Sequence, residues 1–180
     1  MNQKASVKTI SNSKVYELTI CGVFIALTFV ATYINIRLPI AANGGLVHLG
    51  NIPLFIAATY FGKKTGAIVG GIGMALFDLF SGWVAWAPFT LIIVAIMGFI
   101  FGLIINKRPT FLKLIIACVV VCLIKVGGYY VAEGLIYGNW IAPATSIPGN
   151  IVQIGVATVI SIPIIMGGYQ IWGKGGKMNV

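Results

Sequence analysis

The sequence predicts an all-α integral membrane protein with six transmembrane helices and both termini on the cytoplasmic side. Three observations predict it: the scarcity of charge, the spacing of the apolar runs and the placement of the lysines. Of the 180 residues, 8% are charged and 59% hydrophobic, whereas about a quarter of a soluble domain is charged. Long apolar runs extend from Leu18 to Ile36, Pro88 to Ile105, Phe111 to Ala132 and Ile147 to Trp172. Each approaches or exceeds the roughly 20 residues that carry a helix across the hydrocarbon. Two further segments, Ile52 to Phe61 and Gly66 to Trp86, are short or interrupted by Gly and Asp78. No alternation of apolar and polar residues competes with these runs, which argues against a β-barrel.

The lysines set the orientation. Lys4, Lys8 and Lys14 precede helix one, Lys63 and Lys64 lie between helices two and three, Lys107, Arg108 and Lys113 between four and five, and Lys174 and Lys177 after helix six. The alternate side holds Arg37 alone, and Lys125 falls inside a helix. By the positive-inside rule the ten-residue side is cytoplasmic. Residues 1–14 thus read as a basic cytoplasmic N-terminus, 15–173 as one membrane domain and 174–180 as a cytoplasmic tail. The basic start resembles a signal peptide, but no small-residue cleavage site follows, so the first helix is retained. The net charge of +9 is topological, and lysines scattered over four short segments do not make a nucleic-acid surface.

Most catalysis is excluded by inventory, since the chain has one histidine and three acids. A zinc-protease motif needs two histidines, and Gly62-Lys63-Lys64-Thr65 fails as a phosphate loop because Ala57 replaces the leading glycine and Lys64 the hydroxyl. Cys21, Cys118 and Cys122 read as small hydrophobes in apolar helix. No metal or cofactor is expected. Uphill transport by this chain therefore needs an ion gradient or an energised partner.

Polar residues inside a membrane mark functional sites by default. Helix five enters from the cytoplasm near Lys113, so at 1.5 Å per residue Lys125 lies roughly 18 Å in. Lys125, Tyr129 and Glu133, spaced by four, share one face. Asn150 and Gln153 fall in the outer half of helix six, Asp78 in the last turns of helix three beside Trp83 and Trp86, and His48 and Asn51 at the outer start of helix two. All ten converge on the outer half as candidate substrate-binding residues; an internal ion pair of Lys125 and Glu133 with Asp78 serving packing alone remains an alternative. The segment from Arg37 to Asn51 is irregular through Pro39, Asn43, Gly44 and Gly45 yet apolar at Leu46, Val47 and Leu49. Irregular backbone at membrane depth must be buried or line a cavity, which describes a lid folded over a pocket. Helix one carries Gly22, Ala26 and Val30 every fourth residue, the spacing that lets another helix approach closely.

The runs Gly45-Leu46-Val47-His48-Leu49-Gly50-Asn51-Ile52-Pro53, Phe61-Gly62-Lys63-Lys64-Thr65-Gly66, Gly70-Gly71-Ile72-Gly73, Asp78-Leu79-Phe80-Ser81-Gly82 and Trp86-Ala87-Pro88-Phe89-Thr90-Leu91 resemble the substrate-binding S components of energy-coupling factor (ECF) vitamin transporters, nearest the hydroxymethylpyrimidine or pyridoxine branch. The resemblance implies a vitamin pocket open to the outside and roofed by the first loop. It implies partners too: a membrane T component and two cytosolic ATPases in a bacterial cell membrane. It also implies docking through an Ala-xxx-Ala-xxx-Ala stripe on helix one, which here reads Gly22, Ala26, Val30, the third position departing. Many relatives carry a lysine where this chain has Val94, so either Lys125 takes its role or the ligand differs. The expected function is a non-catalytic binding subunit capturing a small water-soluble vitamin or precursor. A stand-alone secondary transporter or channel is the alternative, although inverted repeats with broken helices are not visible.

Overall fold

A computed structural model describes residues 3–37 and 46–173. Six α-helices dominate it: α1 (Gln3–Tyr33), α2 (Asn51–Phe61), α3 (Lys63–Phe80), α4 (Ala87–Ile105), α5 (Phe111–Tyr137) and α6 (Ile147–Gly168). Four helical segments, Lys14–Tyr33, Ala87–Ile105, Phe111–Tyr137 and Ala142–Ile171, are long and apolar enough to cross a membrane. With 11 residues, α2 is about 16 Å long.

The helix ends follow local chemistry. Helix α1 begins within the basic N-terminal segment and stops at Tyr33, short of the expected Ile36. Asn35 stops it by turning its side-chain amide back onto the Thr32 and Tyr33 carbonyls, at 2.9 and 3.1 Å. Pro53 and Pro88 lie in the first turns of α2 and α4, where the missing N–H breaks no helical bond. Only Gly62, at φ 96°, separates α2 from α3. Lys63 and Lys64 therefore form the first turn of α3, a correction to their expected place in a loop. Thr110 caps α5 by accepting from the Lys113 N–H at 3.3 Å. That helix runs five residues past the expected Ala132 and ends at Gly138, φ 62°.

A short two-stranded ribbon accompanies the helices. β1 (Asn35–Arg37) and β2 (Leu46–His48) form an antiparallel ribbon in the register Asn35↔His48, Ile36↔Val47, Arg37↔Leu46. The pairing satisfies backbone N–H and C=O groups of both segments internally. Pro39, Asn43, Gly44 and Gly45, assigned to the lid, lie outside the described residues, as do Lys174, Lys177 and the rest of the tail.

Glycines set the tight packing. A Cβ on Gly66 would lie 2.8 Å from the Gly98 carbonyl oxygen, and one on Gly71 would lie 2.8 Å from that of Leu91, so α3 and α4 touch backbone to backbone. On the far side α1 packs against α3, with Thr28 seated on Gly73. The dry core gathers Leu54, Phe55, Met97, Phe101, Leu114, Val121, Ile154 and Ile165, and the Phe55 and Phe101 rings stack at 4.4 Å. Leu123, Val119 and Val159 are among many large apolar side chains facing outward, the pattern of a bundle whose solvent is lipid. Buried hydroxyls such as Thr59, Thr65 and Ser161 lie in the half toward Lys63, whereas the buried charged and amide side chains Asn51, Lys125, Glu133 and Gln153 collect toward the other end.

Candidate functional site

At the end where α3 finishes and α4 begins, one cavity opens between the ribbon and the helices. Its walls include Asp78 from the last turn of α3 and Trp83 and Trp86 from the turn that follows. Thr90 comes from the first turn of α4, and Lys125, Tyr129 and Glu133 from one face of α5. Ser146, Gly149, Asn150 and Gln153 line the entry to α6, and Leu46 and His48 come from β2. The space open to the centre of a water molecule is about 80 Å³, room for on the order of six waters.

Every predicted substrate-binding residue except Asn51 lines this cavity. Asn51 is wholly buried, and neither its amide nitrogen nor its amide oxygen has a hydrogen-bond partner in the structure. Sequence reasoning missed Leu46, Thr90, Ser146 and Gly149. For Thr90 and Ser146 a signal existed: both are hydroxyls at helix entries on the same side as the acids.

The polar side chains are linked. The Thr90 hydroxyl lies 3.0 Å from the Tyr129 hydroxyl and also bonds the Asp78 carboxyl, whose Oδ2 is buried without a partner. Ser146 Oγ donates to Glu133 Oε2 at 2.8 Å. Gln153 Nε2 donates to the His48 carbonyl at 3.4 Å and so ties α6 to the ribbon. Lys125, 1% exposed, holds its Nζ 4.6 Å from the Tyr129 ring centroid, a cation–π contact strengthened by burial. His48 Nδ1 accepts the Gly50 N–H at 3.2 Å, which leaves the ring hydrogen on Nε2. Burial, and then the charge of Lys125, hold the His48 pKa well below its usual value, so the imidazole is neutral.

The aromatic wall is braced from outside. Trp83 and Trp86 meet edge to face at 5.1 Å, Tyr137 joins Trp86 at 5.8 Å, and the Arg37 guanidinium of β1 sits 5.4 Å from the Trp83 ring. The ribbon is thereby fastened at two points, Arg37 on Trp83 and His48 on Gln153. Trp140 packs instead over Gly134 and is exposed.

Gly22, Ala26 and Val30 all face away from the bundle, and a Cβ on Gly22 would touch nothing within 4 Å. The opposite face of α1, through Cys21, Thr28 and Thr32, is the one that is buried.

A family model described as the ECF-type riboflavin transporter, S component, matches residues 12–170. The thiamine precursor transporter HmpT of Lactococcus lactis subsp. cremoris is 33% identical over 156 residues, covering 86% of this chain and 89% of that protein. An uncharacterised protein of Pyrococcus woesei is 32% identical over 107 residues, 59% of this chain and 72% of its own length. Among solved structures, one described as the structure and mechanism of the S component of a bacterial ECF transporter superposes with a TM-score of 0.66 at 24% identity, covering 88% of this chain and 98% of the other.

Proposed function

The chain belongs to the family of ECF-type transporter S components, and we propose that it captures a single-ring heterocyclic vitamin or vitamin precursor for an ATP-driven importer. A hydroxymethylpyrimidine is the favoured ligand and pyridoxine the next. The observation that carries the reading is the cavity itself: two tryptophans and a tyrosine set among eight polar side chains that can fix a ligand's orientation. Three aromatic rings, Trp83, Trp86 and Tyr129, stand in its wall and suit a flat heterocycle. The similarity to a thiamine precursor transporter supports the same choice. His48, Asp78, Trp83, Trp86, Lys125, Tyr129, Glu133, Asn150 and Gln153 contact the ligand in this reading, and Asn51 lies outside the contact set.

The orientation follows from charge. Lys63, Lys64, Lys107, Arg108 and Lys113 lie at the end opposite the cavity, so the positive-inside rule faces the cavity outward. The six-helix bundle then sits in the bacterial plasma membrane, α2 covering only part of its thickness, with residues 1–14 and the tail 174–180 in the cytoplasm. The partners are a membrane T component and two cytosolic ATPases. The outward-facing stripe Gly22, Ala26, Val30 is the docking surface for the T component, since all three are exposed on the bundle and Gly22 and Ala26 are small enough for close helix contact.

Uptake of labelled hydroxymethylpyrimidine into proteoliposomes tests this. With T component and ATPases present, uptake is expected to require internal ATP. Uptake by this chain alone, driven by an ion gradient, would replace the reading with a stand-alone transporter.

A further inference from the structure

The cavity carries a charge pattern that selects among ligands of similar size. Three ionisable charges line it: Asp78 and Glu133, each −1, and Lys125, +1, which leaves −1 with His48 neutral. An anionic ligand would enter a site whose lining is already net negative, where like charges repel.

The two carboxylates are not equivalent. Glu133 receives a hydrogen bond from Ser146 at 2.8 Å, whereas Asp78, which also lines the cavity, keeps its Oδ2 buried and without a partner. Leaving a buried acceptor unmet is expensive, more so for a charged one. The hydrogen-bond chain fixes where that oxygen points. A carboxylate only accepts, so the Thr90 hydroxyl donates to Asp78, and the Tyr129 hydroxyl, 3.0 Å away, must then donate to Thr90. The chain Tyr129→Thr90→Asp78 orients the carboxyl and leaves one oxygen free.

Resting on the proposed function, we infer that Asp78 is the specificity-determining residue of the site: its under-satisfied carboxylate accepts an N–H of the heterocycle, so that the site takes neutral or protonatable amino-heterocycles and rejects phosphate esters and carboxylates of the same size. Thr90 and Tyr129 are positioning residues that act through Asp78. Lys125 serves the other side of the ring as a donor to a ring nitrogen or hydroxyl.

Calorimetry on the purified, unaltered protein tests this with three probes: 4-amino-5-hydroxymethyl-2-methylpyrimidine, the analogue lacking the 4-amino group, and the phosphate ester of the parent compound. Removing the amine is expected to weaken binding by about 10- to 100-fold, the value of a hydrogen bond to a charged acceptor, and the ester is expected to bind at least as poorly. Asp78→Asn is expected to narrow the gap between amine and des-amino compound and to relieve the rejection of the ester. Thr90→Val is expected to narrow the same gap without shifting the thermal midpoint as much as a core substitution does. Equal affinity for all three probes would overturn the inference while leaving the proposed function intact. If none of the three binds, the proposed function itself fails, and the inference with it.

Discussion

Replacing Lys125 by Met keeps most of the side-chain volume and removes only the ammonium. Lys125 is 1% exposed, with its Nζ 4.6 Å from the Tyr129 centroid and Asp78 close enough to feel its charge. Two separable effects follow. The protein loses a desolvated cation–π contact of about 2 kcal/mol, which lowers the thermal midpoint whether or not ligand is present. The ligand loses a charged donor of about 1.5–3 kcal/mol, which weakens affinity by roughly 10- to 150-fold. Titration followed by the fluorescence of Trp83 and Trp86, both in the cavity wall, reads the second effect, and thermal unfolding without ligand reads the first. Lys107→Ala, at the opposite end of the bundle, is the control and should leave affinity within about twofold, as for a surface change away from the site. Unchanged affinity in Lys125→Met would show that the lysine only balances the acids. Tighter binding would show that its charge opposes a cationic ligand, and the donor role would be refuted.

Other outcomes follow from the same geometry. Gln153→Ala removes the bond to the His48 carbonyl and a cavity wall, so affinity should fall by about tenfold or more; parent-like titration would make the tie incidental. Gly22→Leu or Ala26→Leu should abolish uptake and spare ligand binding, because both positions face away from the bundle; equal loss of both would place the stripe in the fold. Gly98→Leu should unfold the bundle or lower its thermal midpoint sharply, since even a Cβ there would lie 2.5 Å from the Gly66 carbonyl carbon and overpacking costs about 1–3 kcal/mol or more. A midpoint equal to the parent's would contradict the α3–α4 contact. Because the His48 pKa is depressed by burial, the unfolded chain binds a proton that the folded chain refuses as pH falls below 6.5. Stability should therefore drop on acidification below that value, with a shallower drop in His48→Gln; parallel profiles would exclude His48 as the cause. Cysteines introduced near Lys63 and Lys107 should resist impermeant thiol reagents in intact cells while one near Gly138 labels, and the reverse pattern would invert the topology.

Much of this architecture was legible because membrane helices announce themselves by length. The runs at Pro88 to Ile105 and from Ile147 match α4 and the start of α6 almost residue for residue. Boundaries failed where polar residues continued a helix: Glu133 and Gly134 looked like an end, yet α5 proceeds to Tyr137 because Glu133 is satisfied by Ser146. The ribbon was invisible because strands of three residues are too short to show an alternation. The site was readable from depth, since polar groups on four separate segments fell at one level. Asn51 was misplaced for a local reason. β2 ends at His48 and α2 begins at Asn51, so the side-chain period changes from 2 to 3.6 between them. Asn51 is buried and is not among the residues lining the cavity that His48 lines.

Native mass spectrometry of the protein purified in lipid nanodiscs, read for a small molecule released on activation, tests most directly that this chain captures a single-ring vitamin precursor. The expected result is one bound heterocycle of pyrimidine or pyridine mass per chain, retained by Lys107→Ala and lost from Lys125→Met. A bound flavin, or a heterocycle that stays bound in Lys125→Met as firmly as in the parent, would contradict the account.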